Sequence, residues 1–545
     1  MENADQLCLR ILATLWRQSP VNATYLGIHD HDDRLAEYDA QALEGQRAEL
    51  EAHLGEIRAF RHAHRDLTAD PRLDLRLLEA ELRMLVSTHR EIRSPFRNPC
   101  IYLEEATFGI YLLMMREFAP GEVRARSILA RLREVPRLLA EARRNLHAAE
   151  DVPRLWAEMA RDLVAPTGAF LAELPRWVQG CAPALAGEME KEVSQSRREV
   201  EEYRTFLESH VLPRARGSFA TGRAYFEFLL KEFHGLEQGT DELERFGRAE
   251  ILSTVARLEE LARDGAPWPE RVEAFKQDVP PVAGLLQAYR SELERSRRFV
   301  QERGLLDLPP AESLEVVETP LFERKTTPFA AYVPPAPFET AQRGYFWVTP
   351  PDPTLPEADR LLQMREHMYA SIPITCVHEA YPGHHVQLSA ANRAASPVRR
   401  QVGTPLLIEG WALYCEEMMG DEGFYEDPRT RLLQLKDYLW RCCRVVIDVG
   451  LHTGGMSVEE ASRILVDTAK INPVSAMGEV KRYSKTPTQP LSYAVGKHEL
   501  LRLREDIKRR DGAAFSLKGF HRDLLRFGSL PPARIREQLF PSPQA

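Results

Sequence analysis

Apolar residues recur at spacings of three and four along most of this chain, as in DLRLLEAELRMLVSTHREI (74–92) and VRARSILARLREVPRLLAEARRNLHAAE (123–150). That period puts them on one stripe of an α-helix, so the core must form where helices pack on helices. The fold class expected is mainly α. Prolines and glycines cut the pattern into helices of ordinary length, with one break at GAPWPE (265–270) and the largest at 308–338. Around the second break the composition shifts to proline, threonine and valine. LEVVET, AAYV and GYFWVT there read as short strands, some at an exposed edge. The helical pattern returns at 354. The organisation expected is a helical half, 1–307, and a second half, 308–545, with a strand patch (308–350) followed by helices, the two packed as one unit around a cleft.

Composition excludes several classes. The 545 residues are 44% hydrophobic and 28% charged, as in an ordinary globular protein. The net charge is −9, and the arginines lie among glutamates, as in LAEARRNLHAAED and LEELARDG. These are solvated helix faces, and no basic stripe for nucleic acid is present. The longest apolar run, FGIYLLMM (108–115), is far short of the ~20 residues a membrane span needs. The first residues, MENADQLCLRILATLWRQSP, lack the pattern of a signal peptide. Seven cysteines without C-x-x-C spacing fit free thiols in a reducing cytoplasm, and Cys376 and Cys415 read as buried filler before nucleophiles.

The chemistry concentrates at HEAYPGHH (378–385). It opens like the zinc-protease motif H-E-x-x-H, in which two imidazoles one helical turn apart grip one ion and the glutamate addresses the metal-bound water. Here Pro382 stands where the second histidine belongs. On an ideal helix at ~100° and ~1.5 Å per residue, His384 would sit about 240° around from His378, and His385 would be ~10.5 Å along the axis. Neither could share an ion with His378. Proline, however, lacks the N–H and its ring collides with the carbonyl four residues back, which is that of His378. Gly383 beside it tolerates unusual backbone angles. Removing both leaves HEAYH, so the motif is interrupted and a bulge can return a histidine to it. Geometry alone leaves both His384 and His385 open. Glu379 is the candidate base. The run LLIEGWALYCEEMM (406–419) supplies a third ligand in Glu409, a carboxylate in an apolar setting that needs a partner. Two turns on, Glu416 is placed to orient a ligand histidine by hydrogen bonding.

At these residues the chain resembles the DUF885 family of candidate zinc metallopeptidases. H-E-x-x-P-G-H-x-x-Q is matched from His378 to Gln387, and E-G-W-A-x-Y-x-E from Glu409 to Glu416. Further likeness lies in 444–452, 479–505 and 515–532, and upstream in ATYLGIHDHDDRL and NPCIYLEEATFGIYLL, so it covers nearly the whole chain. The resemblance implies a large fold akin to the helical metallopeptidases. It implies one zinc per chain on His378, His384 and Glu409, with Glu379 as base and His384 preferred to His385. His385 is left to an outer or substrate-binding role. Tyr493, in LSYAVGK, fits the family's tyrosine before a glycine and is the candidate donor to the oxyanion. Arg482 is a candidate for holding a substrate carboxylate, with Tyr483 beside it. Asp448 and His452 read as structural. The expectation is a zinc-dependent hydrolase of peptide or related amide bonds in the cytoplasm, acting on short peptides, the strand patch at 344–348 offering an edge to an extended chain. Its rivals are a non-haem iron enzyme using the same two-histidine, one-carboxylate set and a non-catalytic protein with structural metal.

Overall fold

The computed structural model describes residues 2–320, 324, 327 and 329–540. Helices make up most of it and one three-stranded sheet is present, so the fold is mainly α. Among the described residues, no helix is long and apolar enough to cross a membrane. The chain divides into two compact units, Met1–Thr221 with Ala336–Ala341, and Gly222–Pro335 with Gln342–Ala545. This boundary lies earlier than the proline-rich stretch suggested. The reason is packing: Phe226, Leu230 and Leu243 share one core with Leu406, Tyr438, Val445 and Leu491.

In the first unit, α1 (Gly121–Asn145), α2 (Arg154–Cys181) and α3 (Ala186–Phe206) are long helices, α1 running through Pro136 and α2 through Pro166 and Pro175. A proline inside a helix costs roughly 3 kcal/mol, and continuous burial of residues such as Leu132, Leu139, Leu171 and Val178 offsets it.

The second unit carries every residue singled out above for chemistry. Among its helices are α4 (Thr240–Ala262), α5 (Leu285–Glu302), α6 (Ile372–Glu379), α7 (His384–Ala391), α8 (Pro405–Asp421), α9 (Pro428–Val449), α10 (Pro473–Tyr483) and α11 (Ser492–Asp511). Several start with a polar cap followed by proline, which lacks only an N–H that would be orphaned anyway. Thr404 caps α8, Asp427 caps α9 and Asn472 caps α10 through their side chains. The start of α11 is capped from another helix: buried Asp448 on α9 accepts from the N–H groups of Thr488 (3.2 Å) and Leu491 (3.1 Å). His452 Nε2 donates to the Tyr483 carbonyl at 3.1 Å. Both residues hold backbone.

The strands are β1 (Ser313–Glu318), β2 (Ala330–Val333) and β3 (Arg343–Val348). Within the expected strand patch, residues 321–323, 325, 326 and 328 lie outside the described residues. The order is β1-β3-β2, with β3 parallel to β1 and antiparallel to β2. So β3 is the central strand, with 345–348 paired on both sides, and the edge expected there for an extended peptide is not available. β1 is an outer strand, and Arg290 of α5 donates to its Val316 carbonyl at 3.0 Å.

The α8–α11 crossing positions the site. A Cβ on Gly410 would stand 2.5 Å from the carbonyl carbon of Gly496, and one on Gly496 would overlap the Leu406 carbonyl oxygen. Only glycine on glycine lets the two backbones approach this closely. The approach brings Glu409, on α8, and Tyr493, on α11, to the same place.

Candidate metal centre

His378 and Glu379 end α6. The chain then turns through residues 380–383, with the Ala380 and Tyr381 N–H groups both donating to the Cys376 carbonyl (3.0 and 3.1 Å) and Gly383 N–H to that of Val377 (3.0 Å). A Cβ on Gly383 would collide with the carbonyl oxygens of Val377 and His378, so the turn demands glycine. A new helix, α7, starts at His384. The P-G pair therefore makes a tight turn between two short helices and swings His384 back beside His378. Their ring centroids are 4.7 Å apart and nearly perpendicular. From the neighbouring helix Trp411 pins the turn, its indole N–H donating to the Pro382 carbonyl at 2.9 Å.

Glu409 Oε2 lies 3.3 Å from His384 Nε2 and 3.8 Å from His378 Nε2. One candidate ligand atom from each of the three residues falls within 4.8 Å of the others. Ligands at ~2.0–2.2 Å in a tetrahedral set are separated by about 3.3–3.5 Å, so the spacing suits a small cation. Two atoms here are buried with no hydrogen-bond partner, Glu409 Oε2 and His384 Nδ1. A buried carboxylate oxygen with no donor is costly unless a cation meets it. His378 Nδ1 is already engaged, 2.7 Å from Oε1 of Glu416, which is almost fully buried. This is the carboxylate–histidine pairing that fixes a ligand's tautomer and raises its basicity.

The electrostatics point the same way. Burial works against charge on His378, yet the nearby Glu409 carboxylate and the hydrogen bond to Glu416 push it up to about 10. Burial also works against charge on Glu409, and the two histidines hold its carboxyl well below the usual carboxylate range. The pocket thus favours positive charge among its carboxylates, whether as protons or as a metal ion. The residues present fit a divalent cation bound by His378, His384 and Glu409.

Glu379 is half-buried beside His378, and its charge acts on that ring. The Tyr493 ring stacks on His378, centroids 6.4 Å apart and planes 17° apart. Burial raises the Tyr493 phenol and the Glu409 charge raises it further, against the pull of Arg444, Arg482 and Arg441, so it stays protonated and able to donate. Cys376 and Cys415 are buried, and burial pushes both thiols well up, which removes them as nucleophiles.

Two sequence candidates lie apart from the cluster. His385 is fully buried, with Nε2 2.7 Å from Glu312 Oε2 and Nδ1 3.0 Å from the Tyr332 hydroxyl. Both ring nitrogens are occupied, so it does not compete with His384. Glu312 also accepts from the Tyr381 hydroxyl at 2.7 Å and pairs with Arg297 at 3.0 Å. Burial opposes its charge, but these donors hold it down at about 2. This network braces the turn from the side of β1, and Glu312, Arg297, Val316 and Tyr381 line a cavity of about 550 Å³ there. Arg482 donates to Glu479 (2.8 Å) and Gln489 (3.1 Å) and is 39% exposed. Sequence reasoning missed Trp411, Glu312 and Arg444. Trp411 stands two residues after Glu409 inside the E-G-W-A-x-Y-x-E stretch, and a buried indole needs an acceptor; those are the signals the sequence offers for it.

Fold and site together define a helical protein with a buried two-histidine, one-carboxylate cluster beside a glutamate and a tyrosine. Residues 20–539 match the family described as bacterial protein of unknown function (DUF885), and the chain belongs to that family. Two solved structures are similar in fold. One, described as "a putative lipoprotein of unknown function" from Shewanella oneidensis, has a TM-score of 0.82 and 24% identity over 99% of this chain and 100% of its own. The other, described as "the putative lipoprotein from Colwellia psychrerythraea", has a TM-score of 0.83 and 20% identity over 99% of each chain. No curated protein matches the chain.

Proposed function

We propose that this protein is a zinc-dependent hydrolase of peptide or related amide bonds, with short peptides as substrates. The observation that carries the reading is the convergence of His378, His384 and Glu409 around a buried, unpartnered carboxylate oxygen, with Glu379 next in sequence to the first ligand and Tyr493 stacked on its ring. Zinc, when bound, lowers the pKa of water toward ~7 and polarises a carbonyl. Glu379 takes a proton from the attacking water and returns it to the departing amine nitrogen, so that one C–N bond breaks as one C–O bond forms. The protonated Tyr493 hydroxyl donates to the carbonyl oxygen as negative charge develops there. Glu416 keeps His378 in the tautomer that turns Nε2 toward Glu409. A structural zinc site would more often be closed and rich in cysteine, and this cluster contains none.

The cytoplasm is our proposal for location. All seven cysteines are unpaired, as thiols in a reducing compartment are. The lipoprotein names of the two similar structures speak for those proteins.

Elemental analysis of purified wild type, His384→Ala and His385→Ala tests the reading. The expected result is about one zinc per chain, lost in His384→Ala and retained in His385→Ala, together with peptide hydrolysis that Glu379→Gln abolishes without loss of metal. Iron in place of zinc would move the protein to the oxygen-dependent class that shares this ligand set. Protein free of metal after growth and purification in replete zinc would refute it.

A further inference from the structure

Next to Tyr493 lies a group of arginines that the mechanism above does not use. Arg444, on α9, is buried, with 5% of its side chain exposed. Its Nε donates to the Tyr483 hydroxyl at 2.7 Å and its Nη2 to Glu479 at 3.1 Å. Its Nη1 is buried and has no hydrogen-bond partner. One turn earlier, Arg441 donates from Nη1 to the Asp437 carbonyl at 3.1 Å, and its Nε is also buried without a partner. Arg482 shares Glu479 Oε2 with Arg444, so one carboxylate offsets two guanidinium charges. Arg441 also lies 3.8 Å from the Asp437 carboxylate, so what is left open on each guanidinium is one N–H, and a buried N–H of a charged group without an acceptor is expensive. Two such N–H groups on one turn of α9, one of them on the guanidinium beside Tyr493, describe a site whose natural occupant is an anion.

Position selects the anion. The Arg444 guanidinium carbon lies 4.6 Å from the centre of the Tyr493 ring, and that ring lies 6.4 Å from the His378 ring. The guanidinium is therefore at most about 11 Å from a proposed metal ligand, roughly the length of three extended residues at ~3.3–3.6 Å each. The hydrogen bond to the anion takes up about 3 Å of that. What remains spans one or two residues between a carbonyl held at the metal centre and a terminal carboxylate at Arg444.

We propose that Arg444, assisted by Arg441, binds the C-terminal carboxylate of the substrate, and that the protein releases one or two residues from the C-terminus of short peptides. This rests on the hydrolase reading and names its substrate class. The planar guanidinium fork suits a carboxylate, and a backbone terminus stands at a fixed distance from the scissile bond whatever the side chains are.

The test uses the full-length, zinc-loaded protein and three N-blocked peptides of one core sequence: the free acid, the C-terminal amide, and the amide with glutamate as its last residue. The expected result is cleavage of the acid one or two residues from its end, with kcat/KM for the amide lower by about 10- to 100-fold, the range for losing hydrogen bonds to a charged group. Arg444→Met should bring the acid down to the level of the amide, mainly through KM, with zinc content unchanged. Arg444→Lys, which keeps the charge and loses the fork, should fall between and serves if the methionine variant does not fold. Equal rates on acid and amide, or cleavage at internal bonds of both, would overturn the anchor and leave the hydrolase intact. Cleavage of the glutamate amide as fast as the acid would assign the arginines to an acidic side chain and overturn the C-terminal assignment. No cleavage of any peptide by zinc-replete protein would overturn the hydrolase reading and the anchor together.

Discussion

The hydrogen bond between Glu416 and His378 gives the sharpest test of how this centre is held. Both side chains are buried and the bond is 2.7 Å long. Glutamine at 416 has almost the same shape. Its carbonyl oxygen can still accept from His378 Nδ1, so geometry is preserved and charge is lost. A hydrogen bond to a charged group contributes about 1.5–3 kcal/mol and a neutral one about 0.5–1.5. The difference, ~1–1.5 kcal/mol, is roughly tenfold in affinity. Alanine removes the bond altogether and orphans a buried N–H, which takes the loss toward the upper end of the ~10–100-fold range for such outer partners. The position of Glu416 Oε2, buried with no partner, adds a penalty for glutamine, whose NH₂ would find no acceptor there. The expected series is therefore wild type, then Glu416→Gln about tenfold weaker for zinc, then Glu416→Ala up to about 100-fold weaker. Competition against a chelator of known zinc affinity measures it at fixed pH, with thermal unfolding of the zinc-loaded proteins as a check on folding. Glu417→Gln is the control, because the neighbouring carboxylate pairs with Lys497 and should leave zinc affinity within about twofold. A Glu416→Gln protein that binds zinc as tightly as wild type would refute the claim that this carboxylate tunes His378.

Two further outcomes follow from other parts of the structure. Tyr493→Phe should retain one zinc and a similar KM while kcat falls about 10²–10³-fold, the range for removing one oxyanion donor; steady-state kinetics with metal analysis checks this, and an unchanged kcat would return Tyr493 to a packing role. His234 should make the second unit acid-sensitive. Its ring is buried between the hydroxyls of Thr404 and Thr488, each 2.8 Å away, and burial pushes its pKa down to about 3. An unfolded histidine titrates near ~6.5, so the unfolded chain binds the proton first. Stability from neutral His234 is full above that pH and is lost as pH falls toward the folded value. Between pH 6.5 and 5 the loss is on the order of 2 kcal/mol. His367, His452 and His521, held low at about 4 by burial, lose stability in the same direction. Denaturant titrations at both pH values should show His234→Asn with a smaller drop than wild type, and equal drops would contradict the assignment.

What the sequence made legible follows physical range. Helical period survives translation into structure because apolar stripes must be buried whichever partner buries them. The turn at Pro382 and Gly383 was legible for a local reason, since a proline four residues after His378 cannot continue that helix. The unit boundary was not, because Phe226 and Leu243 sit in stripes with the same period as those of the first unit, and only three-dimensional packing shows that they join Leu406 and Val445. Strand order was hidden in the same way: β3 follows β2 in the chain yet lies between β2 and β1. Arg444 is one of 72 lysines and arginines, and nothing local in the sequence shows that its Nη1 is buried without a partner. Glu312 reaches His385 across 73 residues of sequence.

The two motifs are one object, and the second explains the spacing of the first. In EGWALYCE each constrained position does a separate task on a single helix. Glu409 faces both histidines. Gly410 lets α11 approach and so delivers Tyr493. Trp411 holds the carbonyl of Pro382, which fixes the turn that a straight H-E-x-x-H helix would not need. Tyr414 is buried with its hydroxyl 2.8 Å from His521 Nε2, locking the helix against rolling. Glu416, seven residues after Glu409 and so back on the same face, meets Nδ1 of the histidine whose Nε2 looks toward Glu409. The inserted proline and glycine therefore exchange a continuous helix for a turn clamped from outside, and the clamp and the third ligand come from the same two turns of α8. Any substitution that rotates α8 should disturb ligand, turn and histidine orientation at once.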